Sequence, residues 1–228
     1  GGDFDGGGRD DIGHFYNYGN ALTRLWVAIA KANGTGFRSP TMWWDSGTGN
    51  WDLDRSTPVV GDFNGDGRDE VAAMYDNGYC TTTLWRLASS NGTGMNDVGW
   101  YWSSQNGWCM ADTRKLLAGD VDGDGRDELT AVFLSGSGAW TVFTFRSDLT
   151  TGAVTGHNST TSYIDDMKIF GGDFNGDGRS DLGHLYNYNG DTKIWLLYAT
   201  GNGFSGENKV WDSSTAGGFD WHRFTPVM

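Results

Sequence analysis

The chain has 228 residues, including 37 glycines, 12 tryptophans, 12 phenylalanines and 9 tyrosines, with 16 basic against 29 acidic side chains and a formal charge of −13. That aromatic content is too high for a disordered chain, and no apolar run reaches the roughly 18 residues of a membrane-spanning helix. An acidic surface with no Lys/Arg cluster repels phosphate backbones, which excludes nucleic acid as a partner and asks for a cation to match some of the charge.

The first predicted element is a loop, Gly2-Asp3-Phe4-Asp5-Gly6-Gly7-Gly8-Arg9-Asp10-Asp11. Its pattern returns without gaps at Gly61–Glu70, Gly119–Glu128 and Gly172–Asp181, with leading aspartates 59, 58 and 53 residues apart. Self-similarity at such a period marks a repeat architecture. Copy one continues with strand-like Ile12–Tyr16, a Gly/Asn turn, a strand around Leu25-Trp26-Val27, the turn Asn33-Gly34-Thr35-Gly36 and the stretch Met42-Trp43-Trp44. The short apolar strand Thr57–Val60 leads into the loop of copy two, which repeats the order through Val71–Tyr75, Leu84-Trp85-Arg86 and Trp100-Tyr101-Trp102. Lys115–Ala118 leads likewise into the loop of copy three, followed by Leu129–Phe133 and Ala139-Trp140-Thr141; copy four carries Leu182–Tyr186, Ile194-Trp195-Leu196 and Val210-Trp211. Ala21–Ala30 could pass for a helix, but its alignment with the other tryptophan strands makes it a strand.

Short β-branched and aromatic runs between Gly/Asn turns predict an all-β chain of four repeats, 1–60, 61–118, 119–171 and 172–228. Four strands in roughly 57 residues is the size of a β-propeller blade, which must stack on neighbours to cover its apolar faces. The expectation is one domain over 1–228, with Trp26, Trp85, Trp140 and Trp195 packing between blades. Copy one lacks its opening strand, while Arg223–Met228 matches Arg55–Val60, so the last strand is expected to complete the first blade. The alternative is four units cut from a larger ring.

In these loops positions one, three, five and nine offer side-chain oxygens and position seven a backbone carbonyl, a donor set suited to calcium. Copy two supplies Asp62, Asn64, Asp66, the Arg68 carbonyl and Glu70; copy three Asp120, Asp122, Asp124, the Arg126 carbonyl and Glu128; copy four Asp173, Asn175, Asp177, the Arg179 carbonyl and Asp181. Copy one keeps Asp3, Asp5, the Arg9 carbonyl and Asp11, but Gly7 replaces the fifth-position acid, so that site is expected to be weaker or empty. The loops resemble those of FG-GAP/VCBS repeats, the calcium-loop blades of integrin α-chains and many secreted bacterial proteins. The stretch Trp43-Trp44-Asp45-Ser46-Gly47 with Trp51-Asp52 is similar to the actinobacterial secreted type. Ions saturated by protein oxygens act as structural staples rather than catalysts; the alternative is solvated Asx turns without metal.

Cys80 falls in the turn between the second and third strands of copy two and Cys109 in the connection leaving its fourth strand. An up-and-down meander brings both to the end opposite the calcium loops, which suggests one disulfide and an oxidising compartment; two free thiols are the alternative. The segment from Gly1 shows no signal-peptide pattern, so a secreted chain would have lost its signal already. His14 and His184 occupy equivalent positions and are expected to be packed and hydrogen-bonded, whereas His157 and His222 sit in connections without an evident partner. No nucleophile elbow, zinc-protease helix or phosphate loop occurs, and the chain reads as non-catalytic.

The end opposite the metal loops receives aromatic rings beside Asn and Asp. Tyr18, Trp51, Tyr79, Trp108, Tyr188 and Trp221 are the candidates for stacking on sugar rings. The first expectation is a secreted lectin-like module for glycans or cell-wall polysaccharide, or an accessory domain fused to a hydrolase, as the resemblance also implies. The alternatives are an integrin-like protein-docking surface and an enzyme whose site, with Asp52 or Asp220, spans several blades. Sequons at Asn33, Asn91 and Asn158 are explained at the first two by turn chemistry.

Overall fold

The computed structural model describes residues 1–89, 91–136, 138–146, 154–159, 163–188 and 190–215. Glycine-rich turns and alternating side chains produce four antiparallel sheets, each a meander whose strands lie side by side in chain order. The first holds β1 (Ile12–Asn17), β2 (Thr23–Ala28) and β3 (Thr41–Asp45). The second holds β4 (Ser56–Gly61), β5 (Glu70–Gly78), β6 (Thr81–Ala88) and β7 (Asn96–Ser103). The third holds β8 (Thr113–Gly119), β9 (Glu128–Leu134), β10 (Trp140–Phe145) and β11 (Val154–Ser159). The fourth holds β12 (Met167–Gly172), β13 (Asp181–Tyr188), β14 (Asp191–Leu197) and β15 (Asn208–Asp212). Single 3-10 turns at Leu53–Arg55, Met110–Asp112 and Ile164–Asp166 lead into the next sheet. Ala21–Ala30 contains a strand, as the alignment requires. Among the described residues the first sheet has three strands. Arg223–Met228, expected to complete it, lies outside the described residues.

The chain forms two compact units, the first covering Gly1–Ala111 and the second beginning at Asp112. In the first, the sheets meet across indoles: Trp51 is edge-on to Trp44 at 5.9 Å and to Trp85 at 5.6 Å between ring centroids. Phe4, carried in by the first loop, packs with Leu25, Val27 and Trp43 in the same core. In the second, Trp140, Val132 and Val142 pack with Leu182 and Leu197. Edge-on aromatic pairs add about 0.5–1.5 kcal/mol each beyond their burial.

The pairing register corrects one alignment. Trp26, Trp85 and Trp195 stand opposite His14, Ala73 and His184, but the matching residue Ala131 faces Phe143, while Trp140 faces Leu134. A bulge in the next pairing falls immediately before Trp26, Trp85, Trp195 and Phe143 alike, so Phe143 is the structural equivalent. Bulges add local twist and are positional features of a sheet. Trp140 enters the core from the strand's first position.

Cys80 and Cys109 form a disulfide, 29 residues apart. Cys80 sits with Tyr79 at φ 56° and 51°, the left-handed pair of a two-residue hairpin turn. Closing a loop of that length removes about 3.6 kcal/mol of unfolded-state entropy. C80S with C109S is therefore expected to lower the stability by up to about 3.6 kcal/mol, and reductant to do the same to the native protein alone, measured by urea unfolding.

Candidate functional site

Each metal-like loop is a turn held shut by its own first carboxylate. Asp62 accepts the backbone N–H groups of Gly65, Asp66 and Gly67 at 2.7, 3.1 and 2.8 Å. Asp120 does so from Gly123, Asp124 and Gly125, and Asp173 from Gly176, Asp177 and Gly178. Asp3 accepts from Gly7 and Gly8. The N–H of Gly178, with the others behind it, holds the Asp173 carboxyl below its ordinary range. Gly65 and Gly67, at φ 74° and 80°, supply the left-handed backbone that points these donors inward. The seventh-position arginines differ: Arg68 bonds Asp66 at 2.6 Å, Arg179 reaches Asp177 at 3.9 Å, and Arg9 and Arg126 are exposed.

Beneath each turn the next strand delivers a ninth-position acid that is fully buried, with Glu70 at 0%, Glu128 at 1%, Asp11 at 1% and Asp181 at 2% exposure. The two residue types behave differently. Asp11 accepts from Ala30 and Phe4 N–H, and Asp181 from Ala199 and Phe174 N–H, so both oxygens of each are engaged. Glu128 spends one oxygen on the N–H groups of Val121 and Asp122, and Glu70 one on the Asn64 amide at 2.5 Å. Glu70 Oε2, Glu128 Oε1 and Asn64 Oδ1 are left buried without a hydrogen-bond partner. One extra methylene carries the free glutamate oxygen into the loop.

Three loops bring carboxylates within 4.8 Å of one another: Asp3, Asp5 and Asp11; Asp62, Asp66 and Glu70; Asp120, Asp122 and Glu128. Asp124 turns instead to the Arg126 N–H, and Asn175 bonds both the Asp177 N–H and its carboxylate. Among the described residues no such group forms in the fourth loop. Its aspartate Asp181 is occupied below and Asp177 is shared with Asn175 and Arg179. In the first loop a side chain at Gly7 would collide with Asp5 Oδ1 and come up against Arg9. An all-oxygen donor set with orphaned buried oxygens fits a hard divalent cation in loops two and three.

The candidates at the opposite end separate into two kinds. Tyr18, Tyr79 and Tyr188 are exposed, Tyr79 at 98%. Trp51 and Trp108 are buried at 8% and 5%, which removes them from any contact surface. Their carbonyls accept from the buried Thr23 and Thr82 hydroxyls, and those threonines' N–H groups bond Ser46 and Ser104. This Thr–Ser–Trp knot pins each ring under its hairpin; Thr192 and Ser213 repeat its first half. Trp221, with Asp220 and His222, lies outside the described residues.

The histidines also depart from expectation. His14 is exposed on β1, while His184 is 1% exposed and stacks on Trp195. His157, expected in a connection, lies in β11. Its Nε2 and that of His184 each stand 3.5 Å from a different oxygen of Glu207, beyond good hydrogen-bond geometry. Burial pushes the Glu207 carboxyl up, but His157, His184 and Ser159 outweigh it and hold the group well below the carboxylate range. No spacing in the sequence joins these three residues; only the packing of β11 against β13 and the segment before β15 does.

A family profile for FG-GAP-like repeats matches residues 62–131 and 120–183, more than half of the chain. The chain belongs to the FG-GAP repeat family. No curated protein matches this FG-GAP chain. Among solved structures it is similar to the exotype rhamnogalacturonan lyase YesX, at 17% identity and a TM-score of 0.45, over 88% of this chain and 42% of that one. It is similar to the rhamnogalacturonan lyase YesW at 19% and 0.47, over 88% and 44%. It is also similar to a family 43 arabinoxylan arabinofuranohydrolase from Bacillus subtilis at 13% and 0.40, over 93% and 55%. This FG-GAP chain thus spans less than half the length of either lyase.

Burial, as the leading cause, pushes Glu70 and Glu128 up to about 7. A carboxyl whose folded pKa is raised stabilises the fold fully below its unfolded value, by about 1.4 kcal/mol for each tenfold gain in proton affinity. That contribution is lost as pH rises through the folded value. Without divalent cation the melting temperature is therefore expected to fall as pH rises from the ordinary glutamate range, about 4.3, through about 7. E70Q combined with E128Q should flatten that decline, and calcium should abolish it in the native chain, as followed by thermal unfolding across pH.

Proposed function

We propose that the four sheets are the blades of one propeller, closed by the C-terminal segment and stapled by calcium, and that it is a secreted, non-catalytic module binding glycan. The observation carrying the binding reading is a constellation found at the same turn of the first and fourth sheets. Tyr18 lies 4.6 Å from Tyr16, with Arg24 over its ring at 4.7 Å and Asp45 bonded to Arg24 at 2.7 Å. Tyr188 lies 6.0 Å from Tyr186, with Lys193 over its ring at 4.0 Å and Asp212 at 3.5 Å from Lys193. A second ring and a cation thereby hold an exposed tyrosine in place beside a carboxylate.

A fixed ring can stack on the C–H face of a sugar, and the adjoining carboxylate and cation can bond its hydroxyls. Recurrence of the same cluster favours a polymeric ligand, since weak equivalent sites gain through avidity. The cation pairs with its own acid in each cluster, so neutral sugars suit the site better than charged ones. Calcium would contribute rigidity at the opposite end: bound at 100 times its dissociation constant, one ion adds about 2.7 kcal/mol. The secreted location is supported by the disulfide, a bond that persists in oxidising compartments. Among the described residues no helix is long and apolar enough to cross a membrane.

On a glycan array in calcium, the chain is expected to retain a polysaccharide that Y18A and Y188A each bind roughly tenfold more weakly, with W51F unchanged. Retention of no glycan, with a protein ligand lost in the same two variants, would move the function to protein docking.

A further inference from the structure

Consecutive loops touch within each unit, and they do so in the same way twice. In the first unit Asp69, the residue before Glu70, grips the backbone of Asp3 from both sides. Its carboxylate accepts the Asp3 N–H at 2.7 Å, and its own N–H donates to the Asp3 carbonyl at 2.9 Å. The approach is close enough that any side chain at Gly2 would run into Asp69 and Val60. Arg68 lies across Gly6 of the first loop, 3.1 Å from where a side chain would begin, and the Gly92 turn rests on the backbone of Asp5.

In the second unit the N–H of Ser180, the residue before Asp181, donates to the Asp120 carbonyl at 2.6 Å. Arg179 lies across Gly123, and Gly119 is closed against Ser180. The leading loop of each pair thus has its first candidate ligand, Asp3 or Asp120, positioned by the trailing loop.

We propose that the first and second loops take up divalent cation as a coupled pair, with Asp69 as the positioning residue. This rests on the reading that the loops hold calcium. Fixing Glu70 on an ion fixes its neighbour Asp69, and Asp69 sets the Asp3 backbone before the first loop fills. A positive charge in either loop also draws in the Asp69 carboxylate, which acts on Asp3 and on Asp62 alike. Coupling of this kind is reciprocal. Between the third and fourth loops only a backbone bond stands in the place of this carboxylate clamp, and among the described residues the fourth loop gathers no carboxylate group. The first loop, short of an acid at Gly7, gains what its own donors lack from its neighbour.

The test is a calcium titration of the EDTA-treated, 15N-labelled full chain, following the amides of Gly8, Gly67, Gly125 and Gly178 as reporters of the four loops. D69A is expected to raise the calcium midpoint at Gly8 by about fivefold or more, the lower end of typical coupling. The midpoint at Gly125 should hold, which also certifies the fold. D69N keeps an acceptor for the Asp3 N–H and is expected to restore the Gly8 midpoint, and E70Q to raise it as D69A does. A Gly8 midpoint that stays put in D69A and E70Q, while the loops still respond, overturns the pairing alone. Absence of any response to calcium in the native chain overturns the cation reading and the pairing with it.

Discussion

The structure depends on burying a carboxylate under a turn that is itself lined with carboxylates. In every repeat the strand after the loop begins with an acid at 2% exposure or less. Removing a charge from water is costly unless it is paired or hydrogen-bonded, so each repeat must supply an answer. Asp11 and Asp181 are answered by backbone N–H groups from the loop and from the neighbouring strand connection, a solution internal to the chain. Glu70 and Glu128 each retain a buried oxygen without a hydrogen-bond partner. One methylene separates the acid whose two oxygens are both bonded within the chain from the acid that keeps one free.

The same economy shapes the other end of the first two sheets. A buried threonine begins the strand after the hairpin and bonds the carbonyl of a tryptophan 28 or 26 residues later, locking the long connection onto the hairpin. That knot frees the hairpin tip, where Tyr18 and Tyr79 stand in solvent. Loops gripped at one end and tips exposed at the other give a sheet two unlike poles. This is the usual division of labour between scaffold and surface.

Not every half-buried charge belongs to the repeat. Among the described residues Glu207 stands between two histidines, His157 and His184, beside Trp140 and Trp195, because the third repeat puts a histidine on its last strand where the other repeats run to tryptophan. It stands between histidines of the third and fourth sheets, whereas the first and second meet through Trp51 and Trp44. A repeat sequence can therefore vary the chemistry of its interfaces while holding the backbone constant.

The period, strand order, loop positions and disulfide pairing were legible in the sequence, since turns, alternation and cysteine placement are properties of neighbouring residues. What was not legible required distant atoms. Trp51 and Trp108 resemble exposed loop aromatics until Thr23 and Thr82, far back in the chain, capture their carbonyls. Trp140 resembles its counterparts until the ladder opposite Ala131 shows Phe143 in that place, although the spacing of 12 residues shared by Ala73 and Trp85 and by Ala131 and Phe143 was a signal that could have been counted. The loop pattern alone determined where a cation would be sought. Tertiary structure decided which loops keep an oxygen free for it, because that depends on whether backbone N–H groups from other strands reach the buried acid first.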